Sequence, residues 1–470
     1  MKDLAQSSKV SNLLKKDSVL VEVDGSIRRI TLDNLINSIN EGNEELLRAV
    51  AWGVPLKQVS QSSPAYGRIG NLDMWEQYKS RTGRYLLKNN GKAAKLAKNS
   101  SAIFADGTEL NESLGHVMVL APDLYYRVVN TGSGDPYLWM SEIPIGGYLL
   151  KVPAIGAYKG SMSGTALVSR SGATLAGSKT IDAFWNAAQV NGVNFGLTDY
   201  NCRLWMTMML LSEYGNTNSQ AVLGNGVTGT NNTSDWETPV RNLKTGETKG
   251  LGDAFGSVPC NYTMASGTAV QGATHVSLMG IEDPYAWQWE MVQGIFCGKS
   301  ENAAQNGSEV FIYSGNRMPS AAELASTPSG DFRQLTRPAS DGFIRKMTVT
   351  DRFDIIPAEI GGGATSGWCD YFYQNKATGQ LCLWGGNANN GSNAGLSYLN
   401  SNNAWSNSNA NIGSRHTIGK ITKNTLQTLT LHLVVQRRPE GRCQKISRGK
   451  APLLAEEQVM LVGLHAVSKT

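Results

Sequence analysis

Charge, patterned cysteine and long apolar runs are all scarce in this chain, and each scarcity closes off a class of protein. Only 17% of the 470 residues are charged and the net charge is +5. So mild a basic balance makes no general case for binding nucleic acid or a membrane surface. The six cysteines (Cys202, Cys260, Cys297, Cys369, Cys382, Cys443) are scattered without C-x-x-C spacing, so they read as small buried hydrophobes and not as zinc or redox sites. The five histidines (His116, His275, His416, His432, His465) show no metal-ligand spacing. No apolar run is long enough to span a bilayer, and Met1-Lys2-Asp3-Leu4 opens no signal peptide. The expectation is therefore synthesis in a cytoplasm and no membrane insertion. With 51 glycines and 41% hydrophobic residues, the chain reads as globular, loop-rich and β-rich, with room for two to four domains.

Catalytic motifs are equally thin. Gly160-Ser161-Met162-Ser163-Gly164 misses the G-x-S-x-G elbow because Met162 occupies the nucleophile position. Gly224-Asn225-Gly226-Val227-Thr228-Gly229 spells GxGxxG, but it follows a helical pattern and opens none, so no phosphate cradle is expected. A pair of carboxylates that cleaves glycans stays open, because such pairs meet only in three dimensions.

What is abundant is asparagine, in one place. Trp384 to Arg415 carries no charge until its last residue, and asparagine stands at 387, 389, 390, 393, 400, 402, 403, 407, 409 and 411. Short polar side chains in such numbers compete with backbone hydrogen bonds and disfavour a helix. Leu396, Tyr398, Leu399, Trp405 and Ile412 recur through the stretch as sparse anchors. That mixture fits a recognition loop on a rigid scaffold, and composition alone fits a plain polar loop equally well.

Trp384-Gly385-Gly386, the asparagine run and the closing Asn411-Ile412-Gly413-Ser414-Arg415 together resemble the end of a C-type lectin-like domain of the formylglycine-generating-enzyme type. More narrowly, they resemble the variable proteins of diversity-generating retroelements, among them phage tail receptor-binding proteins that determine tropism. In that family a reverse transcriptase rewrites adenines in the segment before the closing motif, and asparagine codons tolerate this without creating stops. In relatives an aromatic often stands where Ala388 and Ser397 stand here. The resemblance also covers Gly280 to Val292, which is similar to the family's Gly-Asn-Val-Trp-Glu-Trp strand. Trp287 and Trp289 would then be structural. Tyr285 and Gln288 replace residues that in relatives can help hold calcium, so no metal or other cofactor is expected. Leu197-Thr198 followed by Trp205 resembles the family's Leu-Pro-Thr-x-x-x-Trp helix start, without the proline and with longer spacing. Formylglycine generation itself is not expected, because no cysteine follows Gly385-Gly386 until Cys443.

The resemblance implies an α+β, β-rich fold whose C-terminal C-type lectin-like domain has two helices and short twisted strands, preceded by small N-terminal modules. Residues 1–54 are expected as an attachment and assembly module, with a hairpin over 18–31, a helix capped by Thr31 and a second apolar stripe at Leu46, Leu47 and Val50. Residues 55–121 read as a small linker domain, 122–435 as the lectin-like domain and 436–470 as a basic extension. Helices are expected over 180–189 and from Thr198 or Asp199 to Gly215, with an insertion or a set of long loops over 216–273 and a closing strand over 426–435. The tail (Arg437, Arg438, Arg442, Lys445, Arg448, Lys450) reads as a solvated extension before it reads as an RNA-binding arm.

The function implied is non-enzymatic. It is a homotrimeric phage tail protein of the virion, joined to other tail proteins through its N-terminal region and binding a host-surface protein or glycan. Asn387, Ala388, Asn389, Asn390, Asn393, Ser397, Asn400, Asn402, Asn403, Ser406, Asn407 and Asn409 are the expected display positions. Tyr398, Trp405 and Ile412 suit either display or core. Trp384, Gly385, Gly386, Gly413, Arg415, Trp287 and Trp289 are the expected scaffold.

Overall fold

The computed structural model describes residues 30–56, 67–88, 90, 92–130, 136–234, 236–298, 309–328 and 330–419, together with the backbone of 18–23, 26–29, 430–433 and 464–467. The protein is α+β and strand-rich, its strands gathered into several sheets.

Strands Ser18–Val23 and Ser26–Thr31 pair antiparallel, and Thr31 then caps the helix Leu32–Asn40 by accepting from the Asn34 amide. Leu35 and Ile39 from this helix, and Leu46, Leu47 and Val50 from Glu44–Val50, are buried in the main hydrophobic core beside Trp52, Trp75 and Trp139. The apolar stripes of the expected attachment and assembly module are thus covered by the chain itself.

Two large sheets carry most of the remainder. The first runs in the order 195–197, 416–418, 154–156, 116–120, 83–87, 93–97, 100–104. It crosses the expected boundary at 121/122, since His116–Leu120 bonds to both Ala154–Gly156 and Gly83–Leu87. Here the strand returning from the C-terminal side is His416–Ile418, inserted between 154–156 and 195–197. It precedes the closing strand expected over 426–435, of which only 430–433 is described, paired with 464–467 in a separate two-stranded sheet. The second sheet runs in the order 332–336, 309–313, 289–298, 380–384, 399–404, 371–374, 342–349, 353–360, with Ile412–Gly413 lying parallel beside Trp289-Glu290.

Both expected helices form. Thr180 caps Ile181–Gln189, which turns Ile181, Phe184, Ala187 and Ala188 inward. Asp199, not Thr198, caps Tyr200–Tyr214 by accepting from the Cys202 amide, and Gly215 ends it in the left-handed region at φ +56°. This second helix is buried nearly all round, including Met206, Met208 and Met209, which is how a helix crossing the middle of a core must be composed. It joins the N-terminal part to the rest through ring-nitrogen hydrogen bonds. Trp52 donates to Ser212 Oγ at 2.9 Å, Trp75 to Glu213 Oε2 at 2.9 Å, and Trp205 to the Tyr78 hydroxyl at 2.8 Å.

The 216–273 stretch, expected as an insertion or a set of long loops, holds the short helices Ser219–Leu223 and Thr238–Asn242, the strand Gly256–Pro259 and a small apolar core that Trp287 and Ala388 complete. Trp205 is fully buried and holds the Tyr78 hydroxyl, so Trp205→Ala should cost about 3–5 kcal/mol by cavity formation. Denaturant unfolding measures this; a loss under about 1 kcal/mol would show that the helix does not tie these parts together.

Candidate recognition surface

The asparagine-rich segment is clamped at both ends by the Trp-x-Trp stretch, which the fold places directly against it. Residues 279–287 form a tight, strained path. Met279, Asp283, Ala286 and Trp287 all lie at positive φ, between 46° and 58°, where side chains other than glycine are disfavoured. This path is held by backbone hydrogen bonds to distant segments. Ala286 donates to Gly385 O at 2.9 Å, Trp287 to Val227 O at 3.2 Å, Ala388 to Trp287 O at 3.1 Å and Trp289 to Asn411 O at 3.1 Å. Gly385, at φ +93°, passes so close that a Cβ would stand 2.9 Å from the Tyr285 Cα. At the other end a Cβ on Gly413 would collide with Gln288. Tyr285 and Gln288 therefore have structural work: the Tyr285 hydroxyl donates to Gly224 O at 2.6 Å, and Gln288 Nε2 donates to Ala176 O at 2.9 Å and Ala410 O at 3.1 Å.

Beneath this clamp lies a buried ionic cluster. Arg415, with no exposure, donates to Gly156 O at 2.8 Å, Ala157 O at 3.0 Å, Glu282 O at 2.7 Å and Glu290 Oε2 at 3.3 Å. Lys159 donates to Gln288 O at 3.0 Å and lies 3.5 Å from Glu290. Arg203 donates to Pro284 O and Leu396 O, each at 2.8 Å. Burial alone would raise the Glu290 carboxyl, but Arg415, Lys159 and Arg203 outweigh it and hold it down at about 2. Burial pulls Lys159 down to about 8 against the opposing pull of Glu290. Three cations facing one carboxylate leave charge over, and backbone carbonyls absorb it. That makes the cluster a device for fixing chain segments rather than a store of ion-pair energy.

All seven expected scaffold residues, Trp384, Gly385, Gly386, Gly413, Arg415, Trp287 and Trp289, are buried. The expected display positions divide. Asn387, Ala388, Ser397, Tyr398 and Asn400 are not on the surface. Ala388 sits in the small core of the 216–273 stretch with Trp287, Val227 and Val240, and its carbonyl accepts from Thr228 Oγ1 at 2.6 Å and Asn232 Nδ2 at 2.8 Å. The Ser397 amide donates to the buried Asp370 carboxylate at 2.7 Å, and Tyr398 stands edge-on to Trp289 at 4.7 Å. Asn400 lies inside a strand flanked on both sides, its Oδ1 accepting from the Asn402 amide. Ile412 is core as well.

Asn389, Ser406 and Asn409 are exposed, and Asn390, Asn393, Asn402, Asn403, Trp405 and Asn407 are half-exposed. From 402 to 409 the amides order one another. Asn403 Nδ2 donates to Asn402 Oδ1 at 2.6 Å, Asn407 Nδ2 to Asn403 Oδ1 at 2.8 Å, and the Asn409 amide to Asn407 Oδ1 at 2.9 Å. Trp405 is pinned by its Nε1 donating to Asp182 Oδ2 at 3.2 Å, with its ring edge-on to Phe296. The adjacent parallel strand adds Tyr373, 39% exposed, and the residue just past its end, Asn375, reaches Asn402 O with its Nδ2 at 3.5 Å. Those two were missed because only strand pairing brings them here. The result is a surface of amide donors and acceptors with two aromatic rings and the exposed Asp182 carboxylate beside Trp405, suited to hydrogen bonding and stacking.

No model of a known protein family matches the chain, and a search of curated proteins finds no match.

Immediately after Arg415, His416 is buried between His116 at 4.8 Å and Phe195 at 5.8 Å, with neither ring nitrogen hydrogen-bonded. Burial pushes His416 well below its ordinary range and His116 down to about 4. Between pH 6.5 and 4 the unfolded chain therefore takes up protons that the folded one refuses, and stability falls as pH falls. His416→Phe should remove part of that slope, so the variant gains on the wild type as pH is lowered from 7 to 4.5. Parallel melting-temperature curves would contradict the assignment.

Proposed function

We propose that this chain is a phage tail receptor-binding protein of the diversity-generating-retroelement variable kind, which recognises a host-surface protein or glycan through a C-type lectin-like domain. The observation that carries the reading is the division within one segment. Trp384-Gly385-Gly386 and Gly413-Ser414-Arg415 are locked in the core, while the asparagines at 389–393, in a turn and a short 3-10 helix, and those at 402–409, at the end of the strand Leu399–Ala404 and in the turn after it, are exposed or half-exposed without a charge among them. A segment with immovable ends and a chemically neutral, replaceable middle can change its ligand without changing its fold. The burial of Asn387, Ala388, Ser397, Tyr398 and Asn400 narrows the working surface to Asn389, Asn390, Asn393, Asn402, Asn403, Trp405, Ser406, Asn407 and Asn409, joined by Tyr373 and Asn375.

Changing Asn402, Ser406 and Asn409 to Tyr or Asp should move stability by less than about 0.5 kcal/mol each while altering which bacterial cells are bound. Trp384→Ala should do the reverse, costing about 3–5 kcal/mol before it touches specificity. Unfolding of the surface variants at scaffold-like cost, or cell binding indifferent to all of them, would sink the reading.

The protein acts in this proposal as a homotrimer, because weak sites presented together gain orders of magnitude in avidity. The 32–50 helices are occupied within the chain, so assembly falls to surfaces other than their apolar faces. Light scattering on the full chain at micromolar concentration should give three times the chain mass; a monomer would remove this part of the model.

A further inference from the structure

A protein receptor and a glycan ask different things of the surface that meets them. A protein interface is centred on aromatic and aliphatic side chains that are desolvated together, with polar groups kept to the rim. A saccharide carries hydroxyls along every edge and only small apolar C–H faces. It asks for fixed donors and acceptors, with an aromatic ring here and there to lie against. Over residues 371–409, Tyr373 is the one large hydrophobic side chain that stands exposed, and Trp405 is half-buried. The exposed Leu72, Leu114, Leu149, Val190 and Val193 belong to other parts of the chain. The centre that a protein interface needs is therefore missing from the amide surface.

What a saccharide needs is present. Asn403 is held between Asn402 and Asn407, and Asn407 Oδ1 holds the Asn409 amide. These bonds fix the side chains without exhausting them, since each amide offers two N–H groups and two lone pairs. Asn402 Nδ2, the Asn409 side-chain amide and the Ser406 hydroxyl make no hydrogen bond among the described residues. The exposed Asp182 carboxylate accepts only from Trp405 Nε1, at 3.2 and 3.4 Å, which leaves lone pairs for hydroxyl donors. Asn409 is brought to the same place by its backbone. The Ser178 amide donates to Asn409 O at 3.2 Å, just ahead of the helix Ile181–Gln189 that carries Asp182.

We propose that the ligand of this surface is a cell-surface polysaccharide and not a protein. The inference rests on the reading that the surface binds a host cell, and it names the chemistry of what is bound there. The half-exposed Trp405 ring takes the apolar face of one sugar. Beside that ring the Asp182 carboxylate accepts from sugar hydroxyls, and the Asn409 amide both donates and accepts. Asn402 Nδ2 and the exposed Tyr373 ring meet a further sugar of the same chain. Because the asparagines are already ordered by one another, little side-chain entropy is lost when the ligand arrives. A polymer of repeating units also suits several copies of one weak site, since linked sites reinforce each other.

Binding of the full-length protein to a panel of bacterial strains, read by flow cytometry, tests the proposal. Cells of a bound strain are treated either with mild periodate, which cleaves vicinal diols, or with proteinase K. Periodate should abolish binding and the protease should leave it intact. Surface polysaccharide purified from that strain should compete, and where both treatments remove binding this competition decides. Asp182→Asn keeps an acceptor for Trp405, and Tyr373→Ala alters an exposed ring. Each should weaken competition by the polysaccharide at least about threefold while the melting temperature holds. Binding that survives periodate, is lost to the protease and is not competed identifies a protein receptor. That result overturns the glycan and leaves the recognition surface standing. Variants that bind the polysaccharide as tightly as the native chain overturn it too. A native chain that binds no strain overturns the recognition reading and this inference together.

Discussion

The guanidinium of Arg415 is the contact on which the rest of the structure depends. An unexposed cation is tolerated only when its donors are met, and here they are met by segments far apart in the chain: carbonyls at 156–157, the carbonyl at 282 and the carboxylate of Glu290. One side chain thereby fixes the Ala154–Gly156 strand of one sheet against the Trp289–Gly298 strand of the other. Arg203 repeats the device from the buried helix by holding the carbonyls of Pro284 and Leu396, and Lys159 repeats it on Gln288. The attraction of the charges matters less than the directionality of their donors. Each cation selects particular carbonyls, and a register slip would leave it buried and unmatched.

That cluster accounts for the strain above it. Four non-glycine residues between 279 and 287 lie at positive φ, a conformation that persists only where the surroundings over-determine it. They are over-determined here: the carbonyls of Glu282, Pro284 and Gln288 are taken by Arg415, Arg203 and Lys159, and the amides of Ala286, Trp287 and Trp289 are taken by Gly385, Val227 and Asn411. The strained path is thus the plate to which both ends of the asparagine-rich segment are bolted. The same plate carries Asp283, which lies 2.7 Å from His275 Nδ1, and Trp287, which stands edge-on to that ring at 5.3 Å.

Local signals carried well wherever a single turn or period decides the outcome. The side chains of Thr31 and Asp199 can accept the orphan amides of a helix start, and Gly215 can adopt the left-handed end, so those helix limits were legible from a few residues. The roles of Trp384, Gly385, Gly386 and Arg415 were legible for a similar reason. A large aromatic, two adjacent glycines and one arginine in an uncharged stretch have few uses other than packing, close approach and anchoring.

What the sequence by itself determined, then, is the helix limits and the scaffold residues that frame the asparagine-rich segment, because each follows from chemistry within a few residues of itself; the α+β class came with the resemblance. Which asparagines face outward was decided only by tertiary structure. Asn387 and Asn389 are chemically identical and two residues apart, yet one is buried and the other exposed. The difference arises because a stretch more than a hundred residues earlier, 216–273, folds over Ala388 and bonds its carbonyl through Thr228 and Asn232. Likewise Asn400 is buried and Asn402 is half-exposed, because Tyr371–Gln374 pairs along one edge of their strand and Gln380–Trp384 along the other. An amide side chain has no strong preference between a satisfied interior and water, so its own chemistry cannot choose, and the choice passes to whichever distant segment arrives to cover it.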